Sequence, residues 1–278
     1  MQELLFYFET VPSSVRSLFL ISGLAIFLFL EALSPLFQMN YNKLKHAKIN
    51  LTLTLITLII NLIGASLIIK VVNYSSQNRS GLLNLIDLPI WLYSLFGLLL
   101  LDFIGAWLIH WLEHKVKWMW RVHVIHHTDP NVDVTSGLRH HPGENLLRLT
   151  FTVLAILVTG ASLGLVMFYQ TISAFFAALT HANISVPKWL DKPLSFIFVT
   201  PDFHKIHHHY ILPHTDSNYG NIFSIWDYIF STTSKLEIIK LKYGIDTYMK
   251  NEEHSKIKNL LLIPFQEYRT PVGGKFEE

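Results

Sequence analysis

The apolar residues of this chain fall in long unbroken blocks, not in the alternating or one-face patterns of a soluble domain. Three blocks, residues 15–33, 51–72 and 83–109, each reach the length of about 20 residues that a helix needs to cross a bilayer. The first carries one acid, Glu31, near its end; the second has Lys70 at its edge; the third holds Asp87 and Asp102. A fourth block, 146–182, is interrupted by Thr159-Gly160-Ala161-Ser162. That break near the midpoint predicts two helices joined by a tight turn. The expected fold class is all-α: a multi-pass membrane bundle of about 4–5 membrane helices with a cytosolic helical cap.

The N-terminal block reads as a membrane helix and not as a cleavable leader. Its flank carries Glu3 and Glu9 in place of a basic run, and no small-residue cleavage site follows. Basic residues set the expected orientation. Lys43, Lys45 and Lys48 lie between the first two blocks, only Arg79 between the next two, and Lys115, Lys117, Arg121, Arg139 and Arg148 follow the third. The N-terminus is therefore expected outside and the later basic region on the cytoplasmic face. Three regions follow: N-terminal membrane helices over 1–82, a central domain over 83–233, and a cytosolic C-terminal tail over 234–278 that ends in a solvated stretch, 273–278.

Composition sharpens the class. Apolar residues make up 51% of the chain and charged residues 15%, against about 25% charged in soluble domains. A disordered chain, a nucleic-acid-binding protein and an ordinary cytosolic enzyme are all excluded on that basis. Lys+Arg 22 against Asp+Glu 20 gives a net charge of +2, too balanced for a polyanionic partner. With no cysteine, thiolate metal sites, disulfides and cysteine nucleophiles are excluded as well. Histidine is the outlier. Of 15 in the chain, 13 fall between His110 and His214.

Their spacing carries the chemistry. His110 and His114 stand four apart, on one helical face. His123, His126 and His127 form an HxxHH block, and His204, His207 and His208 repeat it about eighty residues later. Imidazole suits zinc, copper, iron and nickel, and a tetrahedral zinc site takes at most four ligands. Eight imidazoles in three blocks exceed the needs of one ion and match two six-coordinate ions with positions left open. The arithmetic points to a dinuclear iron site, the membrane counterpart of carboxylate di-iron bundles. Carboxylates should stand behind the imidazoles to orient them and offset charge; Asp102, Glu113, Asp129, Glu144 and Asp202 are the candidates.

The same blocks come with smaller marks: Trp120-Arg121, Arg139-His-His141-Pro142-x-Glu144, His181-Ala-Asn183, Thr200-Pro201-Asp202, Asn218-Tyr219-Gly220 and Trp226-Asp227. Together, over roughly 83–233, they resemble the fatty acid hydroxylase and sterol desaturase superfamily. The resemblance implies an integral-membrane, non-haem di-iron oxygenase with dioxygen as co-substrate and a membrane lipid as partner. It implies His181 as a ninth ligand beside His110, His114, His123, His126, His127, His204, His207 and His208, and supporting roles for Arg139, His141 and Asn183. Fatty acid 2-hydroxylases of the family carry a further histidine where this chain has Ala177, which leaves one place to water or to an indirect contact through Asn183. The family's ending WD-x-x-FGT reads here with Ser231 for glycine, a structural change.

No cysteine cluster, flavin-binding glycine fingerprint or haem domain occurs in the sequence, so electrons are expected from a separate electron-transfer protein or a reduced pterin. The lipid stays open among sterol, fatty acyl, alkylglycerol and carotenoid-like compounds, as do hydroxylation against desaturation and the oligomeric state. Two other classes compete. His110-x-x-Glu113-His114 reads as a zinc peptidase signature, but that leaves both HxxHH blocks unexplained. A metal transporter would hold its site near the bilayer midplane, whereas these histidines lie at span ends. His140, His209 and His214 are expected as neighbours of the site or cap residues, His46 and His254 as solvated, and Trp107, Trp111, Trp118 and Trp120 as an interfacial belt, with a substrate wall as the alternative.

The orientation makes a direct prediction. Reporter fusions after Lys48, Gln77 and Thr233 should read cytoplasmic, external and cytoplasmic. An external reading at Thr233 would put the last HxxHH block across the membrane from His110.

Overall fold

The computed structural model describes residues 1–274; of the polar end expected at 273–278, residues 275–278 lie outside the described residues. The helices run in order α1 Gln2–Thr10, α2 Ser13–Leu33, α3 Lys43–Gln77 and α4 Ile90–Asp102, then a π-helical turn Phe103–Leu108 leading into α5 Ile109–Lys115. After these come α6 Lys117–His127, α7 Pro142–Thr159, α8 Leu163–His181, α9 Lys188–Leu194, α10 Pro201–His207, α11 Ile225–Ile229, α12 Asn251–His254 and α13 Ile257–Leu262. Among the described residues there is no β-strand, only isolated bridges.

Among the described residues four stretches are long and apolar enough to cross a membrane: Ser13–Leu33, Lys43–Asn84, Ile90–Lys115 and Leu163–His181. Glu144, Asn145 and Arg148 dilute the first half of α7, which is not among them. Leu18, Ile21, Phe29, Leu55, Ile59 and Ile63 on α2 and α3 point outward and are exposed, an apolar surface suited to hydrocarbon and not to water. The chain is an integral membrane protein.

α3 packs along α7, α1 and α2 pack along α8, and α4 lies between α7 and α8. The buried centre of this bundle includes Leu101, Ile104, Ala155, Ile156, Leu165 and Tyr169. A second core joins the base of α3 to α6 and to the C-terminal region: Leu53, Trp120, Val124 and Ile125 meet Ile245, Tyr248, Leu260 and Ile263. The stretch 245–263, within the region expected as a tail, thus supplies half of that cluster's buried residues.

Local chemistry explains the helix ends. Asn42 caps α3 by accepting from the Lys45 amide, 2.9 Å. His141 and Thr200 cap α7 and α10, each followed by a proline at the first helical position. The predicted hairpin is present: α7 stops at Gly160, whose φ of +67° suits a residue without Cβ, and Ser162 caps α8. The third span differs from a plain helix. The π turn breaks its α register between Asp102 and His110, a feature that collects at functional sites.

Gly81, at φ +99°, crosses this hairpin turn so closely that a Cβ there would lie 2.2 Å from the Gly160 amide nitrogen. Gly81→Ala should therefore lower stability by about 2–4 kcal/mol, read as a fall in thermal midpoint in detergent. Gly23→Ala, where the nearest atom is 3.7 Å away, should leave the midpoint close to that of the parent.

Candidate metal centre

Four separate elements converge at one end of the bundle. α5 brings His110 and His114, α6 brings His123, His126 and His127, the last residue of α8 is His181, and α10 with the residue after it brings His204, His207 and His208. All nine are buried. They divide into two groups, His110, His114, His123, His127 and His207 in one and His126, His181, His204 and His208 in the other. Within each group the nitrogens lie within 4.8 Å of one another.

Hydrogen bonds behind the rings fix which nitrogen faces inward. Nδ1 of His110 donates to the Tyr219 carbonyl (2.7 Å), that of His207 to the Ser217 carbonyl (2.6 Å) and that of His181 to the Ala177 carbonyl (2.7 Å). Nδ1 of His123 donates to Glu144 Oε1 at 2.8 Å. In each ring Nε2 is then a bare lone pair, the arrangement of a metal-ligating imidazole. The Nε2 atoms of His110, His114 and His207 are buried without a hydrogen-bond partner. Nε2 of His181 faces those of His126, His204 and His208 at 3.1, 3.3 and 3.1 Å. One lone pair cannot be satisfied by three neighbours of this kind, and orphaned buried nitrogens are costly. A cation in each group resolves both problems, so the donor set fits two metal ions.

Burial holds the imidazoles neutral. His126, His127, His204 and His208 lie well below the ordinary histidine range, through burial first and then through neighbouring imidazoles. His207 is pulled down to about 3 by the same burial. Neutral rings are the form that binds metal.

Two buried carboxylates stand behind His123. Glu144 Oε1 accepts from His123, from His140 Nδ1 (2.8 Å) and from Arg148 Nε (3.0 Å). Burial alone would raise the Glu144 carboxyl, but His140, His123 and Arg148 reverse this and hold it well below the usual carboxylate range. Glu113 lies 3.5 Å from His123 Nδ1 and accepts from Arg148 at 2.7 Å.

Other expected supports stand elsewhere. Asp102 accepts from the Ile222 and Phe223 amides and from the Trp226 indole, and touches no histidine of the cluster; the π turn and those amides take it out of register. Asp129 accepts from His46 at 2.8 Å, and Asp133 flanks the same ring at 3.1 Å. His46, expected as solvated, is therefore buried and pinned between two acids. Asn183 bonds both the amide and the carbonyl of Phe37, so it does not fill the place left by Ala177. Asp202 lies in the first turn of α10 with one carboxylate oxygen unpaired. His141 serves as the α7 cap, accepting from the Gly143 amide. Arg139, fully buried, ties the Ile125 carbonyl and Thr128 at the end of α6 to Asn50 and to the His254 carbonyl. It holds the second histidine block in place from behind.

Some supports carried no role in the sequence. The Asn218-Tyr219-Gly220 mark supplies the carbonyl that orients His110, and Asp227 grips this loop through the amides of Tyr219 and Gly220, both at 2.9 Å. The signal lay in two short motifs whose partners are far away in sequence. His140 stacks on His126 with ring centroids 4.8 Å apart. Ser231 takes φ +54°, the left-handed region that favours glycine, which accounts for the glycine of the family pattern at this place.

The fatty acid hydroxylase family matches residues 94–232, which contain every histidine of both groups. The chain belongs to this family. Among known proteins it is 30% identical over 144 residues to the ornithine lipid hydroxylase of Rhizobium tropici, covering 52% of this chain and 42% of that protein. It is 28% identical over 184 residues to the alkylglycerol monooxygenase of Homo sapiens (62% and 37%). It is also 30% identical over 144 residues to the very-long-chain aldehyde decarbonylase of Oryza sativa subsp. indica (48% and 22%). The chain thus spans less than half the length of each of these relatives. No solved structure matches it.

The division into groups of five and four predicts unequal consequences of ligand loss. His181→Ala should bring metal content from two ions to about one per chain, since three imidazoles remain in its group. His254→Ala should leave it at two. Retention of both ions by His181→Ala, read by metal analysis of purified protein, would show that this ring only lines the centre.

Proposed function

We propose that this chain is a dioxygen-dependent, non-haem di-iron hydroxylase or desaturase acting on C–H bonds of a membrane lipid, with its centre on the cytoplasmic face. One observation carries the reading: nine buried imidazoles in two adjacent groups, four of them held by outward Nδ1 hydrogen bonds so that Nε2 turns its lone pair inward. Iron is favoured because the group of five exceeds the four ligands of tetrahedral zinc, and nine imidazoles in two adjacent groups match two six-coordinate ions with places left open. The ligands proposed are His110, His114, His123, His127 and His207 for one ion and His126, His181, His204 and His208 for the other. Bound iron, with dioxygen and electrons from a separate protein or reduced pterin, supplies the oxidising power to cleave an unactivated C–H bond.

The chain's own residues bind, orient and exclude water. Carbonyls of Ala177, Ser217 and Tyr219 and the carboxylate of Glu144 hold the rings in one tautomer. Arg148 offsets the two acids behind His123. Glu113 is fully buried and bonded to Arg148, so it is not placed as the water-activating base that a zinc peptidase needs. The relatives' names speak of hydroxylation, monooxygenation and decarbonylation of lipids or aldehydes, which supports oxidative lipid chemistry and leaves the substrate undetermined.

Protein purified under reducing conditions should contain two irons per chain. Cells with and without it, grown under labelled dioxygen, should differ in a lipid; a labelled oxygen in the product selects hydroxylation and a new double bond selects desaturation. One zinc and no iron, with no lipid difference, would overturn the reading.

A further inference from the structure

A large cavity lies beside the metal centre, within the membrane-spanning part. Although α3 packs along α7 and α2 along α8, no extended contact joins α2 to α3 or α7 to α8. The gap between the two pairs is a half-open cavity of about 740 Å³, the size of a pocket for a small organic molecule. Its lining is unusual for a site at this depth. Asn61 from the middle of α3, Asn145 from α7 and Gln170 from α8 all face it, and among the described residues none of their side chains has a hydrogen-bond partner. Asn61, exposed on the surface of α3, and Gln170 lie within membrane spans, where amides without partners are costly, and Asn145 stands in the first turn of α7 at the metal-centre end.

Charge narrows the occupant. Arg148 lines the cavity and is the wall it shares with the metal centre, since the same guanidinium bonds Glu113 and Glu144. Its charge is already matched by two buried carboxylates, so a further anion gains little there. At the other end, Glu9 and Arg16 carry opposite charges. Among the described residues no ion pair joins those two, and Arg16 bonds Ser13 Oγ at 3.1 Å, but their charges sum to zero; between the two ends the groups that line the cavity without partners are the neutral amides of Asn61, Asn145 and Gln170.

We propose that this cavity binds the substrate's polar portion, and that the substrate is a neutral amphiphile bearing hydroxyl, ester or amide groups, held by Asn61, Asn145 and Gln170. As a substrate site it rests on the oxygenase reading above; as a binding site it can be tested without turnover. The iron-loaded full chain in phosphatidylcholine nanodiscs is labelled with a diazirine-bearing monoacylglycerol and, in parallel, with an alkyl phosphate of the same chain length. The neutral probe should label peptides of α3 and α8 saturably, in competition with unlabelled monoacylglycerol, and the anionic one at least about tenfold more weakly. In the double variant Asn61→Leu with Gln170→Leu, loss of two hydrogen bonds should raise the apparent Kd of the neutral probe about tenfold while two irons are retained. Leucine suits a membrane helix, so retained iron reports an intact fold. Equal labelling by both probes, labelling confined to the outer surface, or an unchanged Kd in the double variant would overturn the proposal. Saturable neutral labelling without oxygen incorporation would leave the cavity standing and remove the oxygenase reading. Oxygen incorporation without such labelling would do the reverse.

Discussion

The constraint on which this structure turns is the burial of nine imidazoles packed ring against ring in two groups. Each ring has two nitrogens, and a dry interior tolerates neither an unpaired N–H nor an unpaired lone pair. The outer nitrogens of His110, His181 and His207 are settled by backbone carbonyls and that of His123 by a carboxylate. Those partners dictate much else. The Tyr219 carbonyl has to be delivered to α5 by a loop more than a hundred residues away, and Asp227 is buried to hold that loop. Arg139 is buried for the same reason on the other side, fastening the end of α6.

Much of the fold was legible because membrane helices announce themselves by length and apolarity. The break at Gly160 was visible since a left-handed residue needs glycine, and the histidine blocks since α-helical spacing puts their rings on one side. What was not legible depends on distant pairing. Asp102 is two turns from His110 in sequence, yet a π turn and three donors around Ile222, Phe223 and Trp226 claim it. No periodicity announces a π turn. His46 looked like a loop residue in a basic segment, but the start of α3 is packed against the region after α6, where Asp129 and Asp133 close on the ring. The C-terminal region looked polar by composition, yet Ile245, Tyr248, Leu260 and Ile263 are spaced too irregularly to show as a core face before their partners on α3 and α6 are known.

The two groups are not equivalent. The group of five includes His123, which has Glu144 and Glu113 behind it and Arg148 behind them. The group of four has backbone and stacking support instead: the Ala177 carbonyl behind His181 and the ring of His140 against His126. Ala177 is also where the family's 2-hydroxylases place another histidine. On the proposed reading, the four-histidine ion keeps more open positions than its neighbour and has fewer nearby negative groups. Carboxylates that raise donor strength stand behind one group only, so two ions bound as proposed would differ although their ligands are all imidazole.

The same geometry accounts for where a lipid could approach. α4 and its π turn are wedged between α7 and α8, so the hairpin cannot close on itself. Splaying it carries His181 to the far side of the histidine cluster from α5 and also opens the space lined by Arg148 and the unpartnered amides. Had α7 and α8 packed along each other, the gap between the helix pairs would close, and Arg148 would lose its exposed side. The wedge therefore does two things with one displacement: it completes the second group of imidazoles and leaves a membrane-level space next to the first. Arg148 lies where the two meet, its carboxylate partners on the metal side and the cavity on the other. Two residues, Arg148 and Glu144, and two hydrogen bonds separate that cavity from His123.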